Sequence, residues 1–329
     1  MTSINCTIMA NLSNSNFLRV SLGINLIICI LGLPVFLVYT WKIWSAKNSS
    51  LFHVNFKIIL QLHLFGFILH VTGRTVLHGL DLFNYLTLLD PCQMIPNIYR
   101  CFVFRLMYNS GLWITNSTAV SLILERWLAT KRSMTYEKDS TIIGLLLAIV
   151  HFLIAALPLC FLYSQTRFDG AVMYYCVTAT PSAPYSAQVG ATVSICFQVV
   201  ARIAFEFLLR ENKKHKEFDV QSPLSNRYQL EQNISSITAL KTFANMSVTY
   251  IIFQNLCYIT LMYYGIQLER AQYLAILELN GSWPLYGVVS IMIFGKTIRK
   301  IHGKIKQSLH GHIKLPNHMY LDVFKRQIA

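Results

Sequence analysis

Seven stretches of this chain are long and apolar enough to cross a bilayer, which leaves few folds open to it. A helical crossing needs about 20 mostly apolar residues to cover about 30 Å of hydrocarbon at about 1.5 Å per residue. Windows of that kind lie near Val20 to Trp41, Phe52 to Gly73, Ile98 to Leu124, Thr141 to Tyr163, Ala187 to Leu209, Ser235 to Tyr264 and Gln272 to Phe294. The third, sixth and seventh carry several polar residues. Those are costly in lipid, so the helices are expected to turn them toward protein or water.

Composition agrees. Of 329 residues 54% are hydrophobic and 13% charged, with a mean hydropathy of +0.46, against about 25% charged residues in a soluble domain. The net charge of +14 sits in short clusters between apolar runs, not in the continuous stripe that nucleic acid requires. No basic region precedes a short apolar core at the amino terminus, so the first apolar run itself is expected to act as the export signal. No internal repeat is visible, which argues against an inverted-repeat transporter.

Direction follows from Lys and Arg, which are depleted from translocated loops. They follow the first, third, fifth and seventh windows, as in Arg126, Lys131 and Arg132, in Lys213, Lys214 and Arg227, and in Lys296, Arg299 and Lys300. The expected fold is therefore all-α: a seven-transmembrane helix bundle with its amino terminus outside and its carboxyl terminus inside. Residues 1–19 form an outer tail, 20–295 the bundle and 296–329 a basic cytoplasmic tail. After the seventh window Ile298, Ile301, Ile305 and Leu309 share one helical face bordered by lysines and Arg299. A basic amphipathic helix of this kind is expected to lie along the inner leaflet.

With this topology Cys6, Cys92, Cys101 and Cys176 fall outside, where disulfides persist. Pairing Cys101 with Cys176 pins the second outer loop over the bundle and leaves Cys6 for Cys92; Cys92 with Cys176 is the rival arrangement. Asn5 and Asn11 stand in glycosylation sequons on the outer tail.

No nucleophile elbow, phosphate-cradling loop, HExxH or paired metal-ligand motif is present, so neither an enzyme nor a metal or cofactor site is expected. Polar residues in the apolar windows mark the places to look instead. Arg105, Tyr108, Asn109 and Trp113 lie in the outer half of the third helix, Gln254, Tyr258 and Tyr263 in the sixth, and Glu278 in the seventh. Together they outline a mostly apolar, aromatic cavity for a small organic ligand, with Glu278 expected to pair with Arg105 across its mouth. His63 and His70 share a face of the second helix with Arg74, and the plainer expectation for them is structural hydrogen bonding. Arg202 and Glu206 are spaced for a local salt bridge. Glu125-Arg126-Trp127 ends the third helix. It is either an ion pair that holds the arginine until a partner frees it or, more plainly, an interfacial anchor.

Several motifs then combine. Phe52-His53-Val54-Asn55-Phe56-Lys57, Asp90-Pro91-Cys92, Cys101 with Arg105, Glu125-Arg126-Trp127-Leu128-Ala129-Thr130 with Tyr136-Glu137, and Leu224-Ser225-Asn226-Arg227-Tyr228-Gln229-Leu230-Glu231-Gln232-Asn233 occur in order along the chain. They resemble the nematode serpentine chemoreceptors of the alpha superfamily, most closely the alpha/beta class, over nearly the whole length. The resemblance implies a chemosensory G-protein-coupled receptor in the membrane of sensory neurons, in their cilia, whose partners are a small-molecule cue and a heterotrimeric G protein. It implies that Arg126 with Glu125 is a switch, and that Arg227, Tyr228 and Glu231 belong to the coupling surface. A ligand-gated cation channel is the alternative, and it needs the reverse topology. The chain also departs from rhodopsin-like receptors. Its seventh helix reads Trp283-Pro284-Leu285-Tyr286, its sixth lacks proline, and its second lacks an aspartate at the sodium position. Pro284 is expected to kink the seventh helix.

Overall fold

A computed structural model describes residues 3–45, 53–132, 141–164, 172–177, 185–218 and 224–313. The described backbone is helical throughout apart from turns and short connections. Its helices are α1 (Ser3–Ser13), α2 (Asn16–Trp44), α3 (Val54–Thr87), α4 (Ile98–Lys131), α5 (Ile142–Tyr163), α6 (Tyr185–Phe218), α7 (Leu224–Tyr264), α8 (Arg270–Asn280) and α9 (Trp283–Ile313). The seven expected windows correspond to α2 through α7 and to α8 with α9.

The bundle is apolar toward its surroundings and more polar within. On α5, Leu145, Leu146, Ile149, Leu153 and Leu157 are exposed, whereas Gly144, His151 and Ala155 are buried. α2 likewise exposes Ile24, Ile27, Ile30 and Leu31 and buries Ser21 and Asn25. Water would penalise such outward surface; hydrocarbon does not. Among the described residues, five helical stretches are long and apolar enough to span on composition alone: Asn16–Trp44, Val54–Thr87, Ile142–Tyr163, Gln188–Glu217 and Arg270–Ile301. α4 and α7 carry more polar residues than such a stretch allows, and around α4 the surroundings are largely protein. On α4 every residue from Trp113 to Ala119 is buried, about two full turns. A helix enclosed on all sides is a central one, and α4 touches α3, α5, α6 and α7.

Two glycines let α3 and α4 meet closely. A Cβ on Gly66 would lie 2.9 Å from the Gly111 carbonyl, and one on Gly111 would run into the Gly66 carbonyl and lie 2.5 Å from the His70 amide nitrogen. Small residues at such a crossing replace the driving force that water supplies elsewhere.

Two features differ from the sequence expectation, and the outer disulfides follow it. The amino-terminal tail carries a helix: α1 buries Met9 and Leu12 against the bundle, and Cys6 is bonded to Cys92. Cys101 is bonded to Cys176, so the rival Cys92–Cys176 pairing is excluded. The segment after the seventh span does not break away as a separate helix. α9 runs unbroken to Ile313, and Ile298 and Ile301 pack on the bundle core. The side chains of Ile305 and Leu309 lie outside the described residues.

The seventh passage is broken, but ahead of Pro284. α8 stops at Asn280, the chain turns through Gly281 and Ser282, and Pro284 stands in the first turn of α9. Proline is tolerated there because the first-turn amide has no helical partner to lose.

Candidate functional site

The break in the seventh passage frees backbone carbonyls deep in the bundle, and each needs a donor. Asn25 of α2 donates to the Glu278 carbonyl at 2.8 Å. Gln254 of α7 donates to the Asn280 carbonyl at 3.4 Å, while Asn280 returns a bond to the Gln254 carbonyl at 3.2 Å. Arg74 of α3 donates to the Gly281 carbonyl. A cation at this position also suits the negative end of the α8 dipole.

The same guanidinium pairs with the carboxylate of Glu278. Arg74 Nε donates to His78 Nε2 at 3.0 Å, and the Tyr175 hydroxyl donates to Glu278 Oε1 at 2.9 Å. Burial, and then the nearby Glu278 carboxylate, push the Tyr175 hydroxyl well above the usual phenol range, so it stays protonated and donates. Tyr175 comes from the loop that Cys101–Cys176 holds down, which makes the disulfide part of the cluster's support.

The expected Glu278–Arg105 pair is therefore wrong: the partner is Arg74. Arg105 and Asn109, one turn apart on α4, both reach Tyr163 of α5. Asn109 bonds the Tyr163 hydroxyl at 2.8 Å, and Arg105 lies beside it.

Below the cluster is a cavity of about 240 Å³, between α3, α4, α6, α7 and the α8–α9 break. Of the side chains singled out in the sequence, Tyr108, Asn109, Trp113, Gln254, Tyr258 and Glu278 line it and Arg105 does not. Tyr263 is 75% exposed and turned away. His70, Arg74, Asn116 and Trp283 join the lining. His63 sits deeper and makes a bond to Thr118 at 3.1 Å, a structural role.

At the opposite end of α4, Arg126 pairs with Glu125 and reaches α7. It donates to Ser236 Oγ at 2.6 Å and to Asn233 Oδ1 at 3.1 Å. Asn233 in turn donates to Thr130 at 3.0 Å and to Asn212 of α6 at 2.9 Å. Arg126 is 4% exposed and stacks over Phe56, so it is no interfacial anchor; Trp127, 46% exposed, is the residue that faces out. Glu231 is exposed and paired with Lys216. The side chains of Arg227 and Tyr228 lie outside the described residues. Arg202 and Glu206 are paired at 3.2 Å, and Lys241 of α7 joins them.

Along nearly its whole length the chain matches a known class of protein. The family model for the serpentine type 7TM GPCR receptor class ab chemoreceptors matches residues 3–329. The chain belongs to this family of serpentine receptors. It is 24% identical over 242 residues to serpentine receptor class alpha/beta-14 of Caenorhabditis elegans, covering 71% of this chain and 60% of the relative. Serpentine receptor class beta-16 of the same organism is 24% identical over 213 residues, 62% of this chain and 60% of the relative. Serpentine receptor class alpha-39 is 25% identical over 212 residues, 61% of this chain and 55% of the relative. The matched region thus spans about 60% of the length of the first two relatives. As a serpentine receptor it is a multi-pass membrane protein of a receptor family, not of an enzyme family.

Proposed function

We propose that this serpentine receptor is a chemosensory G-protein-coupled receptor, with the Cys101–Cys176 end outside the cell and the Arg126 end in the cytoplasm. A small-molecule cue enters the cavity beside Arg74 and Glu278. The receptor then activates a heterotrimeric G protein through Glu125, Arg126, Arg227, Tyr228 and Glu231. Sensory cilia are its expected place, as the family's chemoreceptor role suggests.

One observation carries this reading. α4 and α7 both line the cavity, through Tyr108 and Asn116 and through Gln254 and Tyr258, and the same two helices are joined at their far ends by Arg126, Asn233 and Ser236. A ligand that changes the α4–α7 packing in the cavity biases the same pair of helices at the other end. That is the requirement for a two-state coupling of ligand to partner. Freeing Arg126 would open the groove between α4 and α7 to a partner while Glu125 keeps its charge paired.

Membranes from cells that co-express the receptor with a panel of G-protein α subunits provide the test. Receptor-dependent guanine-nucleotide exchange on one α subunit, abolished by Arg126→Ala at unchanged surface level, is the expected result. Exchange indifferent to the receptor across the panel refutes the reading. Orientation is checked separately: an amino-terminal tag stained on intact cells, with a carboxyl-terminal tag stained only after permeabilisation, is expected. Asn11→Gln should also remove a glycan, since Asn11 is exposed on α1.

A further inference from the structure

The charges on the cavity wall cancel before any ligand arrives. Among the described lining residues, Glu278 is the acid and Arg74 the strong base, and they are paired with each other. Every guanidinium nitrogen of Arg74 is engaged, Nε by His78, Nη1 by the Gly281 carbonyl and Nη2 by Glu278. Both carboxylate oxygens of Glu278 are taken, one by Arg74 and one by Tyr175. A carboxylate or ammonium ligand would have to shed its water here with no counter-charge to meet it, which is the most expensive way to bury an ion.

What the wall has left to offer is neutral. His70 Nδ1 lies 2.8 Å from the Tyr108 carbonyl. A carbonyl only accepts, so Nδ1 carries the hydrogen and Nε2 is left as a lone-pair acceptor. His70 Nε2, Asn116 Oδ1 and the Tyr258 hydroxyl are all buried without a hydrogen-bond partner, and all three belong to lining residues. A buried polar group left unmet is a standing cost, so a ligand that satisfies one gains what the empty receptor forgoes. The imidazole nitrogen and the amide oxygen both require a donor. The rest of the wall is largely apolar, with Leu112, Trp113, Leu162, Val177 and Ala191. At about 240 Å³, the cavity is below the ~300–1,000 Å³ of drug-sized pockets.

On the reading of this cavity as the ligand site, we propose that the receptor takes a small, uncharged, mainly apolar molecule bearing one hydroxyl or N–H donor. Asn116 Oδ1 accepts from that donor, and carboxylates and ammonium ions are rejected.

Four probes on one carbon skeleton test this: 2-phenylethanol, its methyl ether, phenylacetate and phenethylammonium. Each is titrated against the full-length receptor in lipid nanodiscs by saturation-transfer NMR. The alcohol is expected to bind, the ether to bind about tenfold more weakly for loss of one hydrogen bond, and the two ions to show no saturable binding. Asn116→Leu should weaken the alcohol about tenfold and leave the ether unchanged, a difference that a folding defect does not produce. Ser194→Trp, which fills the cavity, should abolish binding of alcohol and ether alike. Either ion binding as tightly as the alcohol, or the ether matching the alcohol, overturns the ligand class while loss in Ser194→Trp still upholds the cavity as the site. Binding that survives Ser194→Trp, or no binding by any probe, overturns the cavity reading and the ligand class with it.

Discussion

Arg74 donates to the backbone carbonyl of Gly281, 207 positions further along the chain, so one side chain of α3 caps the end of α8. The same guanidinium neutralises Glu278. The Gly281 carbonyl and the Glu278 charge at the centre of the bundle are therefore met by one and the same residue.

Removing that residue strands a buried carboxylate and a buried carbonyl together. Arg74→Ala is expected to destabilise the receptor by about 3–5 kcal/mol, read as a fall in the thermal unfolding midpoint in nanodiscs. Arg74→Lys should recover only part of it, because one ammonium cannot reproduce a planar fork that serves His78, Gly281 and Glu278. Adding Glu278→Gln to Arg74→Ala should restore stability relative to the single variant, since the unpaired charge is gone. A double variant no better than the single one would show that the pairing is not what holds the site.

Asn233→Ala and Ser236→Ala each remove one bond from Arg126 to α7 and leave Glu125 paired. Each is expected to loosen the α4–α7 contact by about 0.5–1.5 kcal/mol, seen as a two- to tenfold rise in ligand-free nucleotide exchange at about RT ln of that ratio. Lower basal exchange in both would contradict a holding role for these bonds.

At the α3–α4 crossing there is no room for a methyl group. Gly111→Ala drives a Cβ into the Gly66 carbonyl and the His70 backbone, so the helices must part and drag His70 out of place. A large loss of surface expression is expected, with Gly23→Ala, where nothing lies within 4 Å, as the neutral control. Equal expression of the two would show that the close approach is dispensable.

Non-reducing digestion and mass spectrometry should recover the Cys6–Cys92 and Cys101–Cys176 peptides and no Cys92–Cys176 peptide. Cys6→Ser opens a loop of 86 residues and is expected to cost about 2–4 kcal/mol, measured as earlier thermal unfolding. The same change tests whether α1 stays docked through Met9 and Leu12 alone.

The spans were legible because bilayer thickness and helix rise dictate the length of an apolar run: the first, third, fifth and sixth windows each fall within one helix, and the seventh straddles the break at Gly281 and Ser282. Their ends were not. The second window stops at Gly73 because Arg74 ends the apolar run, yet α3 continues to Thr87. Hydropathy treats a charge as a boundary, whereas a paired charge inside a bundle is not one. For the same reason the sequence offers Arg105 as readily as Arg74 for a partner of Glu278: each is an arginine in or beside an apolar run, and only the rotation of the helices tells them apart. A stripe was nonetheless present in α3, with His70, Arg74, His78 and Asp81 three to four residues apart, all buried and one side of them facing Glu278. Tyr175 could not be found this way, since a loop residue reaches the site only through a disulfide and carries no periodic pattern. The Glu125–Arg126 pair was visible, but its links to Asn233 and Ser236 join positions more than 100 apart and have no local trace.

The interruption at Gly281 and Ser282 divides the last passage into a short rod of 11 residues and a long one of 31, with a joint between them. A push delivered to α8 at one face of the membrane is absorbed at that joint before it reaches α9. α4 and α7 have no such joint, so a proline placed midway along either is expected to weaken whatever the cavity end passes to the Arg126 end.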